Sequence, residues 1–161
     1  MKIGNLVLII FSLSVLVIVV VAFYRSDRRV EADISKVVIG TSEFKVEIAN
    51  TPLLRSQGLS GRDFLDPSEG MLFIFESPGK HGFWMKDMKI PIDIIWIQGD
   101  RIVGYVKNAP IEPNKSMFNL TTYRPPVEVD KVLEINGGLV DQYGIGIGQI
   151  AEFQPAVSGG R

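Results

Sequence analysis

The chain has no cysteine, and His81 is its only histidine among 161 residues. Without thiols there can be no disulfide, thiolate metal site, iron–sulfur cluster, cysteine nucleophile or lipid-modified cysteine. A lone histidine cannot build a multi-histidine metal centre, and zinc would have to take its other ligands from Asp and Glu. Concentrated positive charge is missing too. With Lys2, Arg25, Arg28 and Arg29 set aside from the 17 bases and Asp27 from the 18 acids, residues 30 to 161 hold 13 bases and 17 acids, a net charge of −4. No basic run follows Arg29, which argues against a surface built for a nucleic-acid backbone.

Several familiar chemical motifs are also absent. Gly144-Ile145-Gly146-Ile147-Gly148 has the wrong glycine spacing for a dinucleotide loop and leads toward a strand. No serine stands in a nucleophile-elbow context. Asp63, Asp66 and Glu69 lack the alternating oxygen spacing and fixed glycine of an EF-hand, so they read as a solvated turn. No cofactor and no metal are expected.

What is present begins with an apolar run. From Ile3 to Phe23 there is no charged residue, and only Asn5, Ser12 and Ser14 are polar. At ~1.5 Å per residue such a stretch spans roughly 30 Å, the thickness of a bilayer's hydrocarbon core. A cleaved signal peptide has a shorter apolar core, of about 7–15 residues. The expectation is therefore one N-terminal transmembrane helix over residues 1–24, an uncleaved signal anchor, with cleavage after the small residues Val20-Val21-Ala22 as the alternative. The charges flanking it, Lys2 before and Arg25, Arg28 and Arg29 after, do not by positive-inside counting favour an exported C-terminus. A charged start followed by an apolar run is nevertheless an export signal, and the globular part is expected to be extracytoplasmic.

After a polar stalk over 25–36, period-2 patterns dominate a domain expected at 37–154, with a flexible tail from 155 to 161. Phe44, Val46 and Ile48 alternate with Lys45 and Glu47, the pattern of a half-buried strand, and Gly40-Thr41-Ser42 separates it from Val37-Val38-Ile39. A short helix follows, with Asn50 or Thr51 as cap, Pro52 in the first turn and Gly58 past its end. Met71 to Phe75 reads as a strand, Pro78-Gly79 as a type II turn and Gly82 to Lys86 as the returning strand. Ile92 to Ile97 and Arg101 to Val106 flank Gly99-Asp100 as a hairpin. A proline-rich loop from Ala109 to Pro126 precedes a strand at Val132 to Ile135, a short helix near Leu139 to Gln142 and a last strand at Ile150 to Phe153. The expected fold is mainly β (α+β): a compact antiparallel sandwich or barrel with two short helices.

In order and spacing, Arg55…Gly58-Leu59, Gly70-Met71-Leu72-Phe73, Phe83-Trp84-Met85-Lys86, Pro91-Ile92-Asp93-Ile94, Leu133-Glu134 and Gly137-Gly138 resemble the domain-of-unknown-function 192 family over about residues 40 to 153. Members of that family read asparagine–threonine where this chain has Asp87-Met88. The resemblance implies a compact, mostly β domain, often exported or membrane-anchored, and no known reaction.

Two carboxylates interrupt apolar strands. Asp93 shares a strand face with Ile95 and Ile97, and Glu134 with Val132. A carboxylate facing a core must be paired, hydrogen-bonded or protonated. Together they can serve as acid and base or hold a ligand's hydroxyls. The alternative is that they cap backbone amides or pair with Arg55, Arg62 or Lys86. Trp84 and Trp96 are either platforms for a sugar ring, with Asp93 and Asn136 as polar partners, or ordinary core residues. His81, beside Gly79, Lys80 and Gly82, is expected at an exposed hairpin end.

The candidate ligand-binding set is Arg55, Trp84, Met85, Asp93, Glu134 and Asn136. The expected function is a membrane-tethered module that binds a small molecule, a glycan or an envelope protein. The alternatives are an envelope hydrolase using Asp93 and Glu134, and a purely structural module.

Overall fold

A computed structural model describes residues 34–155. The expected anchor at 1–24, most of the expected stalk and the tail beyond Pro155 lie outside the described residues. Among the described residues no helix is long and apolar enough to cross a membrane.

The elements run β1 (Ile34–Ile39), β2 (Ser42–Ala49), α1 (Pro52–Gln57), β3 (Glu69–Gly79), β4 (Ile92–Gln98), β5 (Arg101–Ala109), β6 (Val129–Asn136), α2 (Leu139–Gln142) and β7 (Ala151–Pro155). Strand β1 thus takes in Ile34 to Lys36, which the sequence reading assigned to the stalk. All seven strands form one sheet in the order β5-β4-β6-β3-β2-β1-β7. The protein is mainly β, with two short helices.

Local chemistry explains several boundaries. Phe44 and Val46 of β2 are buried while Lys45 and Glu47 are exposed, so the alternation does mark a half-buried strand. Helix α1 starts where the Thr51 hydroxyl accepts from the Leu54 amide at 3.3 Å, with Pro52 in its first turn. It stops at Gly58, whose φ of 52° is in the left-handed region and whose N–H reaches the Leu54 carbonyl. Gly99, at φ 64°, makes the two-residue turn that pairs Gln98 with Arg101.

The expectation of a wholly antiparallel sheet is corrected at one pair. Strands β2 and β3 are parallel, with Lys45 opposite Glu69 and Ala49 opposite Phe73. A parallel pair cannot be joined by a tight turn, and the connection through 50–68, carrying α1, supplies the necessary crossover.

The sheet curls into a half-barrel. The edge strands β5 and β7 are brought together at one end, where Gly148 N–H donates to Ile102 O, Ile102 N–H to Gln149 O and Ala151 N–H to Asp100 O, at 2.8 to 2.9 Å. One core lies inside the curl and joins Val37 of β1, Leu72 of β3, Ile95 of β4, Ile102 of β5 and Leu133 of β6 to Leu139 and Val140 of α2. The other face carries a second core, with Met71, Phe73, Ile94, Trp96 and Val132 packed under Leu59, Leu65, Phe83 and Met85. Because both faces are covered, Ile92 to Ile97 of the inner strand β4 are all buried, and the strand is apolar on both faces except at Asp93.

Two further expectations are corrected. Pro78-Gly79 is the irregular end of β3 rather than a type II turn, with a register break between Ile74 and Gly79, a position that tolerates the missing proline N–H. Gly82 to Lys86 is not a returning strand. Phe83 instead exchanges backbone hydrogen bonds with Tyr123 in the loop before β6, so these two connections hold each other across the second core.

Candidate functional site

Strand β6 brings Glu134 to the second-core face. It stands opposite Met71 of β3 on one side and Ile94 of β4 on the other, while Leu133 and Ile135 point into the curl. Gly70 allows the close approach of β3 here, since a Cβ at that position would lie 2.6 Å from the Glu134 carbonyl oxygen. Glu134 is only 5% exposed. Its carboxyl makes no hydrogen bond or ion pair among the described residues, yet no polar side-chain atom there is both sealed off and unpartnered. Its oxygens therefore open into a cavity. Burial pushes its pKa up to about 8, because an isolated charge in an apolar wall costs more than a proton.

That cavity, of about 210 Å³, is lined by α1 and the turn after it, by β3 and by the segment from His81 to Met88. Phe73, Phe75, Phe83 and Trp84 supply aromatic surface. Phe73 and Phe83 meet edge to face at 5.0 Å, and Phe83 meets the buried Trp96 at 5.4 Å, a packing that holds the wall rigid. Trp84, 48% exposed, stands at the rim.

Arg55 of α1 also lines the cavity. Its Nη1 donates to the Ile74 carbonyl at 2.8 Å, and its guanidinium carbon lies 5.1 Å from the centre of the Phe75 ring. His81 is half-buried rather than exposed at a hairpin end. Its ring stacks on Phe75 with centroids 3.6 Å apart and planes 6° apart, and Nε2 lies 3.3 Å from the Ser77 carbonyl. Gly79 makes room for that ring, since a Cβ there would be 3.0 Å from Nε2.

Of the six candidate residues, Arg55, Trp84 and Glu134 come together at this cavity. The other three do not. Asp93 faces the opposite side of the sheet, because its partner on β6 is Ile135 while Ile94 is the partner of Glu134. Fully buried, Asp93 accepts three backbone N–H groups: Asn108 at 2.6 Å and Gly138 at 2.9 Å on Oδ1, and Val140 at 2.6 Å on Oδ2. It ties β5 and the start of α2 to β4, the amide-capping alternative. Asn136 donates to the Leu65 carbonyl at 2.6 Å, and Met85 is a core residue. Trp96, 2% exposed, belongs to the core and offers no platform to a sugar.

The paired-carboxylate arrangement is therefore not formed, since the sheet itself separates Asp93 from Glu134. A second hollow, beside Met85 and Met88, contains Glu112. That carboxylate is held down to about 2 by hydrogen bonds from Lys115 and Thr121, which leaves it fully answered within the chain. Asp63 pairs with Lys89, and Asp66 accepts from the amide and hydroxyl of Ser68. Among the described residues no group of acids and histidine is placed to hold a metal. Asp87 has φ 55°, a left-handed conformation that Asn and Asp adopt more readily than other side chains, so the departure from asparagine there is conformationally mild.

Sequence reasoning missed His81 and the phenylalanine wall. Phe73 and Phe75 alternate with Leu72 and Ile74 along β3, which puts both rings on one face. Their meeting with Glu134 follows only once β3 and β6 are paired.

A model of the DUF192 family, described as an uncharacterized ACR, matches residues 35–153. A crystal structure of a protein of unknown function from Novosphingobium aromaticivorans is similar, with a TM-score of 0.67 and 34% identity over 74% of this chain and 84% of that one. Another, of a putative transcription regulator from Sinorhizobium meliloti, has a TM-score of 0.65 and 28% identity over 73% of this chain and 90% of that one. No curated protein matches the chain.

Proposed function

This chain belongs to the DUF192 family, and we propose that it is a membrane-tethered domain that binds a small organic molecule in the cavity between α1, β3 and the His81–Met88 segment. The observation that carries the reading is the Glu134 carboxyl, nine-tenths buried, opening into an aromatic-walled space with no partner of its own. Leaving a polar group in that state costs about 1–3 kcal/mol, and a ligand's hydrogen-bonding group relieves the cost. An apolar wall with a few convergent polar groups is the general form of a small-ligand site. A hydrolase is the weaker reading, because Glu134 has no second carboxylate beside it. The regulator named in the Sinorhizobium structure is a thin guide to this chain, whose residues 30 to 161 carry a net −4 and no basic run.

The test is a thermal-shift screen of the full chain in detergent micelles against sugars, amino acids, nucleotides and cell-wall fragments. A ligand at a hundred times its dissociation constant adds about 2.7 kcal/mol, a rise of several degrees for a domain of this size. The rise should vanish in Glu134→Leu and shrink in Trp84→Ala. A ligand whose shift survives Glu134→Leu binds somewhere else and sinks this site.

The uncharged run from Ile3 to Phe23 supports the tether, and the charged start at Lys2 ahead of that run supports an extracytoplasmic domain. Deleting residues 1–24 should move the protein from the membrane fraction to the supernatant after carbonate washing. Protease added outside intact cells should trim the full-length chain. Protection of the domain in cells stripped of any outer barrier, until the inner membrane is lysed, would place it on the cytoplasmic side.

A further inference from the structure

Two opposite charges can be carried in this cavity without meeting. Arg55 and Glu134 both line it, and no ion pair joins them among the described residues. Arg55 is not free to swing across, because the Ile74 carbonyl takes Nη1 and the guanidinium lies over Phe75. One of its five N–H donors is thereby used, and the others remain for a ligand. Glu134 is fixed on its side by the pairing of β6 with both β3 and β4.

We infer that the ligand is a small amino acid, a zwitterion whose carboxylate is taken by Arg55 and whose ammonium is taken by Glu134. This rests on the small-molecule reading above and names the ligand class of the same site. A neutral polyol answers Glu134 but leaves the guanidinium donors facing the same space. A simple anion suits Arg55 and is opposed by Glu134 whenever that side chain is ionised. A simple cation suits Glu134 and is opposed by Arg55. Only a dipolar molecule pairs both side chains as charges, whereas an anion meets Glu134 solely as a neutral carboxyl donor, and burial makes each charge-assisted hydrogen bond stronger than it would be in water. Phe73, Phe83 and Trp84 add ring surface, whose faces are compatible with an ammonium group as well as with an apolar side chain.

Binding carries a proton balance. The Glu134 carboxyl gives its proton to solvent as the ammonium arrives, and a carboxylate–ammonium pair forms with no other bond changed. His81 and Arg55 are the other titratable groups on the cavity wall. Arginine stays charged throughout, and comparison with Glu134→Gln isolates the proton that Glu134 itself releases.

The experiment is calorimetry on the full chain in micelles at pH 6, in two buffers of different ionisation enthalpy. The probes are glycine, β-alanine, 4-aminobutyrate and leucine, with isoamylamine, 4-methylpentanoate, glucose and N-acetylglucosamine as comparisons. The expected result is that one or more of the zwitterions bind. The matching amine and acid should each bind at least about tenfold more weakly, the effect of losing one charged hydrogen bond. Binding should release about one proton per ligand, and affinity should rise between pH 6 and pH 8. Arg55→Gln and Glu134→Gln should each weaken binding by tenfold or more, and the second should abolish the proton release. Arg55→Lys, which keeps the charge, tests recovery if Arg55→Gln does not fold by circular dichroism.

Three results would overturn the inference. The first is an amine or an acid that binds as tightly as the zwitterions. The second is a sugar that binds with no proton release and tolerates Glu134→Gln, whose amide both donates and accepts. Either leaves the cavity a small-molecule site of another class. The third is a folded protein that binds none of the four zwitterions.

Discussion

Replacing Glu134 by glutamine should raise the melting temperature above pH 8 and leave it almost unchanged near pH 4. The folded state holds this carboxyl at about 8, against an ordinary 4.5, through burial alone. Below about pH 4.5 the group is protonated in both folded and unfolded chains, and the stability linked to its proton is fully present. Between that pH and about 8 the unfolded chain sheds the proton while the folded chain keeps it, so stability falls by at most about 1.4 kcal/mol per pH unit. Above about 8 the loss is complete and the profile levels. Glutamine cannot ionise, so its advantage should reach on the order of 10 °C at pH 8.5 for a domain of this size.

On the acid side the sign reverses. Hydrogen bonds from Arg62, 2.6 Å from both carboxylate oxygens, hold Glu47 below its usual range, and Glu112 is lowered by Lys115 and Thr121. Both contribute stability that disappears as pH falls through their folded values. The domain should therefore be most stable near pH 5, measured by calorimetric scans from pH 3 to 9. Parallel profiles for the wild type and Glu134→Gln would mean that Glu134 ionises in its ordinary range, and would remove the premise that its carboxyl is held neutral.

The second large effect belongs to Asp93. Asp93→Ala should destabilise the domain by about 3–5 kcal/mol, because it strands the amides of Asn108, Gly138 and Val140 at a cost of roughly 1–3 kcal/mol each before relaxation. In melting temperature this is on the order of 10–20 °C. Asp93→Asn should lose somewhat less. Its single oxygen can replace Oδ1 or Oδ2 but not both, so at least one amide N–H meets an NH₂. If Asp93 were instead part of the ligand site, Asp93→Asn would spoil binding with little change in stability. That outcome in denaturant titration and ligand binding would contradict the structural role assigned to it.

These two carboxylates also show what was legible before the structure. Each stood out because an acid in an apolar strand must be answered somehow, and that inference needed only the local pattern. It could not say what answers each one. Alternation places Asp93 with Ile95 and Glu134 with Val132, but it does not relate the faces of β4 and β6 to each other. That relation is set by the register opposing Ile94 to Glu134, a contact between residues far apart in sequence.

The elements themselves were largely readable, since their causes are local. Thr51, Pro52 and Gly58 bound α1, Gly99 turns one hairpin, and period-2 alternation marks β2. Pro78-Gly79 misled because the same dipeptide serves a type II turn and an irregular strand end. The backbone beyond it decided between them, with His81 packed where a Gly79 side chain would stand.

Local pattern was enough to reveal an apolar N-terminal run, a domain built mainly of strands, and the two acids placed among apolar neighbours. The sequence also carried the ordered motifs of the family. Tertiary structure alone decided that one strand pair is parallel, that the sheet separates Asp93 from Glu134, and that Arg55, His81 and Trp84 gather around the latter. The physical reason is one of range. Caps, turns and alternation act over a few residues, whereas a cavity exists only where distant segments pack and leave space between them.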